Sequence, residues 1–532
     1  MRFVRIGVLQ IPRYDYFVAA LGTFLFAGFL LSPPVERAAA KLARYTLPCM
    51  AVLATLPILL RVLLLGGHPV PNPRVSDDFS YLLLGDTLAH FRLANPMHPM
   101  HRFFEGVFTL QEPSWSSTYP LGQGLVLAVG QVLFGNPWIG VLLSVGVMCA
   151  LCYWMLRAWV APEWALLGGL LAVLQFGPLS SWMNSYWGGA VSAIAGCLIF
   201  GALPRIHAKG RTRDAVILGA GLGLQMLTRP YEFVLIMIGV VLFFIPRRAW
   251  LIACIAMLPA AGLTLLQNKQ VTGNWTTLPY VQSQYQYGIP SSFTWQPMPV
   301  PHQTLTLEQQ MDYDAQAETH GRGSYAGRLI ERVRFYRFFF LAPLYLALPF
   351  LLPALREGRF IRVLVVIAIL CLGTTFYPYF YPHYIAVATC LFVLIAVKGL
   401  ERMPADAARI VFLLCLAHFA FWYGVHLFGN TSLARYESGN VINEGDPQGR
   451  LAINKQLAEQ SGQQLVFVRY WPQHGPYEWI HNAADIDGAR VVWALDLGPE
   501  EDAKLRRYFP HRTAWLLEPD VKPPRLRLFT PE

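Results

Sequence analysis

The run WIGVLLSVGVMCALCYWML, residues 138–156, contains no charged side chain. A helix needs about 20 predominantly apolar residues to cross a bilayer, and this run is of that order. A second run, RIVFLLCLAHFAFWYGVHLF at 409–428, has the same character. Of the 532 residues 55% are hydrophobic and 14% are charged, whereas a soluble domain carries about 25% charged residues. The composition therefore predicts an integral membrane protein.

Apolar segments recur over most of the chain, and they predict a polytopic α-helical membrane protein with about 11–13 membrane segments. The eight cysteines all fall inside these segments, so no disulfide framework is expected. The segments lie at 14–31, 46–65, 121–134, 138–157, 164–179, 183–203, 214–228, 231–245, 250–267, 338–355, 361–377, 383–397 and 409–428.

Basic residues give the chain a net charge of +10. Short loops rich in Lys and Arg face the cytoplasm in membrane proteins, and this placement accounts for the charge without a nucleic-acid partner. The alternation of segments then puts 268–330, the turn at 376–384 and everything after 428 outside. The basic loops are 205–213, 247–248, 356–362 and 398–409.

The N-terminal third leaves two topologies open. The segment 121–134 is short for a crossing, so it either dips into the bilayer and returns or crosses it fully. In the first case the loop 66–120 is extracytoplasmic, and in the second it is cytoplasmic. The loops 1–13 and 33–45 are both basic, so counting charges does not decide between them.

The character of the sequence changes after residue 428. Three short runs, QLVFVRY (464–470), ARVVWALDL (489–497) and TAWLLEPD (513–520), are typical of strands. Helical patterns lie at 449–460 and 499–509. We therefore predict two parts: a membrane domain at 1–428, with outer loops at 66–120 and 268–330, and a small extracytoplasmic α/β domain at 429–532.

The stretch VSDDFSYLLLGDTLAHFRLANP places Asp77 and Asp78 directly after an apolar segment, with Asp86 following. Carboxylates near a membrane are costly without a task or a partner. One of the pair can accept the proton of an attacking hydroxyl, while the other orients it or helps to hold a cation. The alternative is structural, because Ser76 and the two acids also suit a helix start.

Two histidines in the same loop, His98 and His101, are candidate metal ligands together with Asp78. A solvated polar loop is the simpler explanation of these histidines. No cofactor is certain, and a divalent metal is possible.

Further candidates lie at the predicted outer ends of apolar segments. Arg229 in TRPYEF suits a phosphate group, although an ion pair with Glu232 would be a purely structural role. His383 and Tyr384 can donate hydrogen bonds to a lipid-linked phosphate, although aromatic anchoring at the interface explains most of the Tyr-rich turn around them. Arg332, Arg334 and Arg337 form an outward basic cluster, which favours an anionic ligand or lipid head groups.

The acidic loop SDDFSYLLLGDTLAHFRLANP and the segment TYPLGQG resemble motifs of the GT-C superfamily of polyprenyl-phosphate-dependent glycosyltransferases, which includes protein O-mannosyltransferases and lipid A aminoarabinose transferases. The resemblance covers the layout of residues 60–400. It implies a GT-C-like fold, a multi-pass protein of the bacterial inner membrane, and an active site that faces the periplasm. It also implies that the loop 66–120 lies outside.

The resemblance implies an inverting transfer of a hexosyl or pentosyl group from a polyprenyl-phosphate-linked sugar to an acceptor hydroxyl on a lipid, a glycan or a protein. Asp77 would be the base and Asp78 its neighbour. The departing phosphate would be bound by Arg229, Arg337, His383 and Tyr384, and the substrate cavity would include Asp86, Tyr119, Tyr186 and Glu232.

Two positions depart from the pattern of that superfamily. Many of its members have a lysine where this chain has Thr118, and a second proline where it has Leu121. Phosphate contact through Thr118 is therefore not expected.

Two other classes of function stay open from the sequence. One is a transporter or flippase for a lipid or an anionic solute, although transporters place ionisable groups near the bilayer midplane and here they gather at one rim, with Arg61 the main exception. The other is a non-catalytic assembly protein that docks partners through its outer domain.

Overall fold

The computed structural model describes residues 3–6, 9–429, 433, 437, 442, 448–475 and 477–530, with side chains from residue 18 onward. The main helices are α1 (Arg13–Leu42), α2 (Thr46–Leu63), α3 (Ser76–Ala89), α4 (Leu121–Phe134), α5 (Pro137–Leu156), α6 (Pro162–Phe176), α7 (Ala190–Lys209), α8 (Thr212–Thr228), α9 (Pro230–Val241), α10 (Arg247–Thr272), α11 (Pro279–Tyr287), α12 (Leu307–Gly321), α13 (Tyr325–Tyr336), α14 (Gly358–Thr374), α15 (Thr389–Arg402) and α16 (Ala405–Leu427). Shorter 3₁₀ segments lie at His101–Phe104, Arg337–Phe339, Ala342–Arg356 and Pro382–Ala388.

Seven helices of the described chain are long and apolar enough to cross a membrane, and a pair bent by 107°, Tyr325–Phe339 with Ala342–Arg356, would make an eighth. The polytopic helical architecture is thus confirmed. Three further apolar helices, α4, α6 and α9, are shorter. These three account for much of the difference between the seven or eight long helices observed and the 11–13 membrane segments expected, because a helix of 14 residues spans only about 21 Å. The seven are Val18–Leu42, Thr46–Leu63, Pro137–Leu156, Ala190–Lys209, Arg247–Thr272, Pro382–Arg402 and Ala405–Leu427.

Helix α4 does not cross the membrane domain. Near its start, the Gln123 side chain donates to the Tyr186 carbonyl at 2.8 Å. Just after its end, the Trp138 indole at the start of α5 donates to the Met183 carbonyl at 2.9 Å. Both ends of α4 therefore lie against the same short segment, on one side of the helical bundle. This arrangement rules out a full crossing of the bundle by 121–134, the second of the two topologies that the sequence left open.

The loops 66–120 and 268–330 meet on that same side. The Ser114 hydroxyl donates to the Val271 carbonyl at 2.9 Å, and the Gln286 amide donates to the Glu112 carbonyl at 2.9 Å. The first loop also carries a small sheet of order β3–β5–β4, formed by Asn95–Pro96, Ser114–Ser117 and Thr109–Leu110. Near the N-terminus, β1 (Phe3–Ile6) pairs with β2 (Leu9–Pro12).

The C-terminal part contains a four-stranded sheet of order β7–β6–β8–β9, in which β9 alone is antiparallel to its neighbour. Helices Arg450–Ala458 and Pro499–Tyr508 accompany it, so the small α/β unit expected after residue 428 is present. One face shares a hydrophobic core with the first outer loop, through Leu83 and Trp115 among others. Most of 430–447 lies outside the described residues, so a domain boundary at 428/429 stays a prediction. The strands are β6 (Gln464–Val468), β7 (Val491–Leu495), β8 (Thr513–Glu518) and β9 (Arg525–Leu528).

Candidate active site

The acidic pair occupies the first turn of α3. This helix begins at Ser76, directly after the extended residue Val75, as the sequence predicted. The N-cap residue is Val75, which makes no side-chain capping bond, so Ser76 and the two acids lie in the first turn and not at the cap. The positive end of the helix dipole favours both carboxylates at this position.

The two carboxylates have different environments, and Asp78 is the one that is tied to the protein. Its Oδ1 accepts the backbone N–H of Tyr186 at 2.9 Å, and its Oδ2 accepts the backbone N–H of Arg74 at 3.3 Å. Burial raises the pKa of Asp78 to about 6, although these N–H donors oppose the rise. Asp78 therefore holds α3 to the segment that follows α6.

Asp77 is partly exposed. It accepts a hydrogen bond from the hydroxyl of Tyr119, whose ring stacks on Tyr81 at a centroid distance of 4.2 Å. Enclosure by protein raises the pKa of Asp77, while the Tyr119 hydroxyl and the nearby charge of Arg229 lower it. Asp77 is thus oriented by one side chain, whereas Asp78 is held by backbone groups.

Arg229 lies at the junction of α8 and α9, where Pro230 begins the second helix. Its guanidinium carbon sits 4.5 Å from the centre of the Tyr384 ring. In the part of the chain that the structure describes, its guanidinium makes no hydrogen bond and no ion pair. Glu232, one turn later, is 1% exposed, and its Oε1 has no hydrogen-bond partner among those residues. The purely structural Arg–Glu pair considered from the sequence is therefore not formed.

A small cavity borders Arg229. It is lined by Tyr81, Gln123, Trp187, Ser192, Arg229 and His383 among others. The His383 ring packs edge-on against Trp187 at 4.7 Å and against Tyr384 at 4.8 Å. His383 is buried, and its Nδ1 has no hydrogen-bond partner among the described side chains and backbone.

A larger cavity of about 660 Å³ shares Trp187 and His383 with the small one. Its walls are mostly aromatic and aliphatic, and they include Phe338, Tyr345 and Trp422. Arg337 lies here, with Arg334, and not beside Arg229. The third arginine of the predicted basic cluster, Arg332, is buried and donates to the carbonyls of Thr374, Tyr377 and Tyr379, so it anchors the Tyr-rich turn and is not available to an anion.

Two residues assigned to the substrate cavity lie elsewhere. Asp86 accepts the backbone N–H of Ala484 at 2.7 Å and faces the C-terminal sheet, because the turn of the helix directs it away from Asp77. The hydroxyl of Tyr186 donates to the Pro71 carbonyl at 2.9 Å, and this bond commits the side chain to the loop. Tyr119, in contrast, touches Asp77 directly.

The histidines of the first loop are separated from Asp78. His98 Nε2 lies 3.0 Å from Asp487 Oδ1, and His101 Nε2 lies 3.3 Å from Glu112 Oε1. Among the described residues no group of three or more His, Cys, Asp and Glu side chains is arranged to hold a metal ion. The structure therefore does not assemble Asp78, His98 and His101 as a metal site among the residues that it describes.

Several residues of the site were missed from the sequence. Tyr81 follows Asp77 by four residues on a helix, and this spacing could have placed it on the same face. Asp312 comes from α12, and burial raises the pKa of its carboxyl to about 7, with the charge of Asp77 adding to the rise.

Thr118 occupies one of the two positions at which the sequence departs from the pattern of the GT-C superfamily. It is buried, and its hydroxyl donates to the Phe108 carbonyl at 3.1 Å.

No protein-family model matches the chain, and no curated protein matches it. Among solved structures, the chain is similar to ArnT from Cupriavidus metallidurans in the apo state, with 12% identity, a TM-score of 0.49, and coverage of 88% of this chain and 92% of that one. The same protein bound to undecaprenyl phosphate gives a TM-score of 0.48 with the same identity and coverage.

The oligosaccharyltransferase of Archaeoglobus fulgidus, tethered to an acceptor peptide, gives 12% identity, a TM-score of 0.45, and coverage of 89% of this chain and 69% of that one.

Proposed function

We propose that this chain is a membrane glycosyltransferase that moves a sugar from a polyprenyl-phosphate donor to an acceptor hydroxyl with inversion at the anomeric carbon. The observation that carries the proposal is a partly exposed carboxylate, Asp77, close to a guanidinium, Arg229, that no described residue hydrogen-bonds. The planar fork of N–H donors on an arginine matches phosphate oxygens. A negatively charged ligand at Arg229 would supply the acceptors that the described residues do not.

In this reaction Asp77 acts as the general base. It takes the proton of the acceptor hydroxyl as the hydroxyl oxygen attacks the anomeric carbon. The bond from that carbon to the phosphate oxygen breaks, and the polyprenyl phosphate leaves with the bonding electrons. A raised pKa suits Asp77 to this role, because a base works best when its pKa lies near the working pH. The Tyr119 hydroxyl keeps the carboxylate oriented.

The phosphate of the donor would lie at the second half of the site. Arg229 offers a planar donor fork that matches phosphate oxygens, and the Tyr384 ring beneath it holds the fork in place. His383 brings an unpartnered ring nitrogen to the same cavity wall. Donors fixed where charge develops as the phosphate departs lower the barrier, since they need no rearrangement during the reaction.

The cavity of about 660 Å³ is the proposed place for the lipid part of the donor. Its apolar wall suits a hydrocarbon chain, and Arg334 and Arg337 line it together with Glu331. We place the site on the periplasmic face of a bacterial inner membrane, because the four basic loops assign the opposite side to the cytoplasm. The transferred group would be a hexose or a pentose, and the acceptor a lipid, a glycan or a protein.

Bond cleavage separates this proposal from transport. The full-length protein in detergent is incubated with radiolabelled undecaprenyl-phosphate mannose and undecaprenyl-phosphate aminoarabinose, in the presence of a bacterial envelope extract as the acceptor source. The proposal expects release of undecaprenyl phosphate and transfer of the label to an acceptor with at least one donor. In a second arm the same donors are given to vesicles that contain the protein. Accumulation of intact labelled donor inside these vesicles, with no cleavage of either donor, would overturn the proposal in favour of transport.

A further inference from the structure

One face of α3 is covered by the C-terminal sheet unit. Ser76, Phe79, Leu83 and Asp86 follow one another at spacings of three, four and three residues, so they share a face of the helix. Residues 478–486, which precede β7, run along this face. We call them the bracing segment.

At the catalytic end of α3 the bracing segment provides Glu478. This side chain is 3% exposed, and its Oε1 accepts the backbone N–H of Val107 at 3.1 Å. The side chain of Ser76, which directly precedes the acidic pair, lies near the same carboxyl, whose Oε2 has no hydrogen-bond partner among the described residues. Glu478 therefore lies between the first turn of α3 and the loop that contains Val107.

Further along α3 the contacts continue at each turn. The Phe79 ring lies 4.6 Å from the ring of His481 and 4.5 Å from the guanidinium carbon of Arg450. Leu83 belongs to the core shared with the sheet. The last contact is the hydrogen bond from the Ala484 N–H to Asp86, at 2.7 Å.

The opposite side of α3 packs tightly on α4. A Cβ built on Gly85 would lie 2.7 Å from the Leu127 Cβ, and a Cβ built on Gly124 would lie 2.4 Å from the Leu84 Cγ. With α4 fixed on one side, the bracing segment decides how firmly the first turn is held on the other. An acid that must meet a reacting hydroxyl is sensitive to such a displacement, since about 1 Å of misplacement lowers a rate by about 10²-fold.

We propose that the bracing segment positions the catalytic turn of α3, with Glu478 as its main positioning residue. The inference rests on the proposed function, and it assigns the C-terminal unit to the machinery of transfer. Glu478 acts through Ser76 and Val107 on Asp77, and it touches no reacting atom.

The test compares three variants of the full-length protein in detergent: Glu478→Ala, Glu478→Gln and, as a control on an exposed helix, Lys504→Ala. The donor is whichever of undecaprenyl-phosphate mannose and undecaprenyl-phosphate aminoarabinose the wild type cleaves. Because loss of a hydrogen bond at a buried group loosens the first turn, Glu478→Ala should lower kcat roughly tenfold or more with KM within about threefold. Glu478→Gln keeps an acceptor oxygen and should restore kcat to within about threefold, and Lys504→Ala should change neither parameter.

Amide hydrogen exchange of residues 76–89 gives a second readout that needs no substrate. Exchange of this helix should quicken in Glu478→Ala and not in Glu478→Gln, while β6 and β8 stay protected in both. If Glu478→Ala does not fold, Asp86→Ala, at the other end of the same face, replaces it with the same expectation.

Wild-type kcat in the alanine variant would overturn the inference, and so would a change confined to KM. A wild type that cleaves no donor would instead overturn the proposed function, and the inference with it. The two failures are therefore distinguishable.

Discussion

Two arginines lie near the same side of the membrane domain, and their surroundings differ. Arg61, in α2, is fully buried and donates to Asn184 Oδ1 at 2.7 Å and to the carbonyls of His68 and Pro69 at 2.9 and 3.0 Å. Arg229 meets the face of Tyr384 and borders a cavity, and no described acceptor takes its N–H groups.

The difference distinguishes a charged side chain that stabilises the fold from one that is available to bind a ligand. A buried guanidinium with three acceptors contributes to folding, because every acceptor would be left unsatisfied without it. A guanidinium without acceptors contributes little to folding and is available to a phosphate. The acidic pair repeats the contrast, since Asp78 is occupied by two backbone N–H groups and Asp77 by one hydroxyl.

Replacing each arginine by leucine tests this difference and should give the largest effects. Arg229→Leu should lower donor cleavage by about 10²–10³-fold, as loss of one donor to a developing charge does. Its melting temperature should fall far less than that of Arg61→Leu, because no described hydrogen bond is lost with the Arg229 side chain. Arg61→Leu leaves three acceptors without their donor, at about 1–3 kcal/mol each, and should lower the melting temperature severely.

Thermal unfolding in detergent and donor cleavage are measured for both arginine variants. Comparable loss of stability in the two variants would contradict the division between them. Full cleavage activity in Arg229→Leu would contradict the phosphate assignment.

A second test concerns the hydroxyl that orients Asp77. Tyr119→Phe removes a donor that lowers the pKa of Asp77, so the pKa of that carboxyl should rise further. The base must be deprotonated, and the acidic limb of the kcat/KM profile should therefore move to higher pH. At neutral pH we expect a loss of less than about tenfold.

The matched control for that profile is Tyr285→Phe, because Tyr285 is 58% exposed on α11. Its acidic limb should coincide with that of the wild type. An acidic limb that stays in place in Tyr119→Phe, or moves to lower pH, would show that Asp77 does not govern it.

The smallest expected effect comes from a glycine beneath Arg229. A Cβ on Gly122 would lie 2.2 Å from Thr228 Oγ1 and 3.0 Å from the Thr228 Cα, one residue before the arginine. Gly122→Ala should therefore displace the end of α8, destabilise the protein by about 1–3 kcal/mol and reduce cleavage a few-fold. Gly262→Ala, in α10 with open space around it, should be neutral or slightly stabilising. Equal melting temperatures for the two variants would show that α4 and α8 do not need this close approach.

Local patterns were sufficient for much of the architecture. The long apolar runs became helices, and the runs at 464–470, 489–497 and 513–520 became β6, β7 and β8. These features depend on the residues inside each segment, so the sequence exposes them. The return of α4 was left open, because both ends of a 14-residue apolar helix look alike until the contacts with Tyr186 and Met183 are seen.

The candidate site was predictable only in part. Asp77, Arg229, His383 and Tyr384 stand out as polar groups next to apolar runs, and the structure brings them to one region. The different environments of Asp77 and Asp78 could not be derived from the residues themselves, because the partner of Asp78 is a backbone N–H far along the chain. The availability of Arg332 to an anion was predicted wrongly for the same reason, since a sequence does not show which backbone carbonyls a side chain will bind.

Replacement of Asp77 by asparagine tests the central claim most directly, when donor cleavage and binding of undecaprenyl phosphate are measured on the same preparation. Asp314→Asn, on the exposed side of α12, serves as the control. Asp77→Asn should lose cleavage by about 10²–10⁴-fold, the usual contribution of a general base, while undecaprenyl phosphate binds at least as tightly as to the wild type. Cleavage at the wild-type rate in Asp77→Asn would show that Asp77 is not the base.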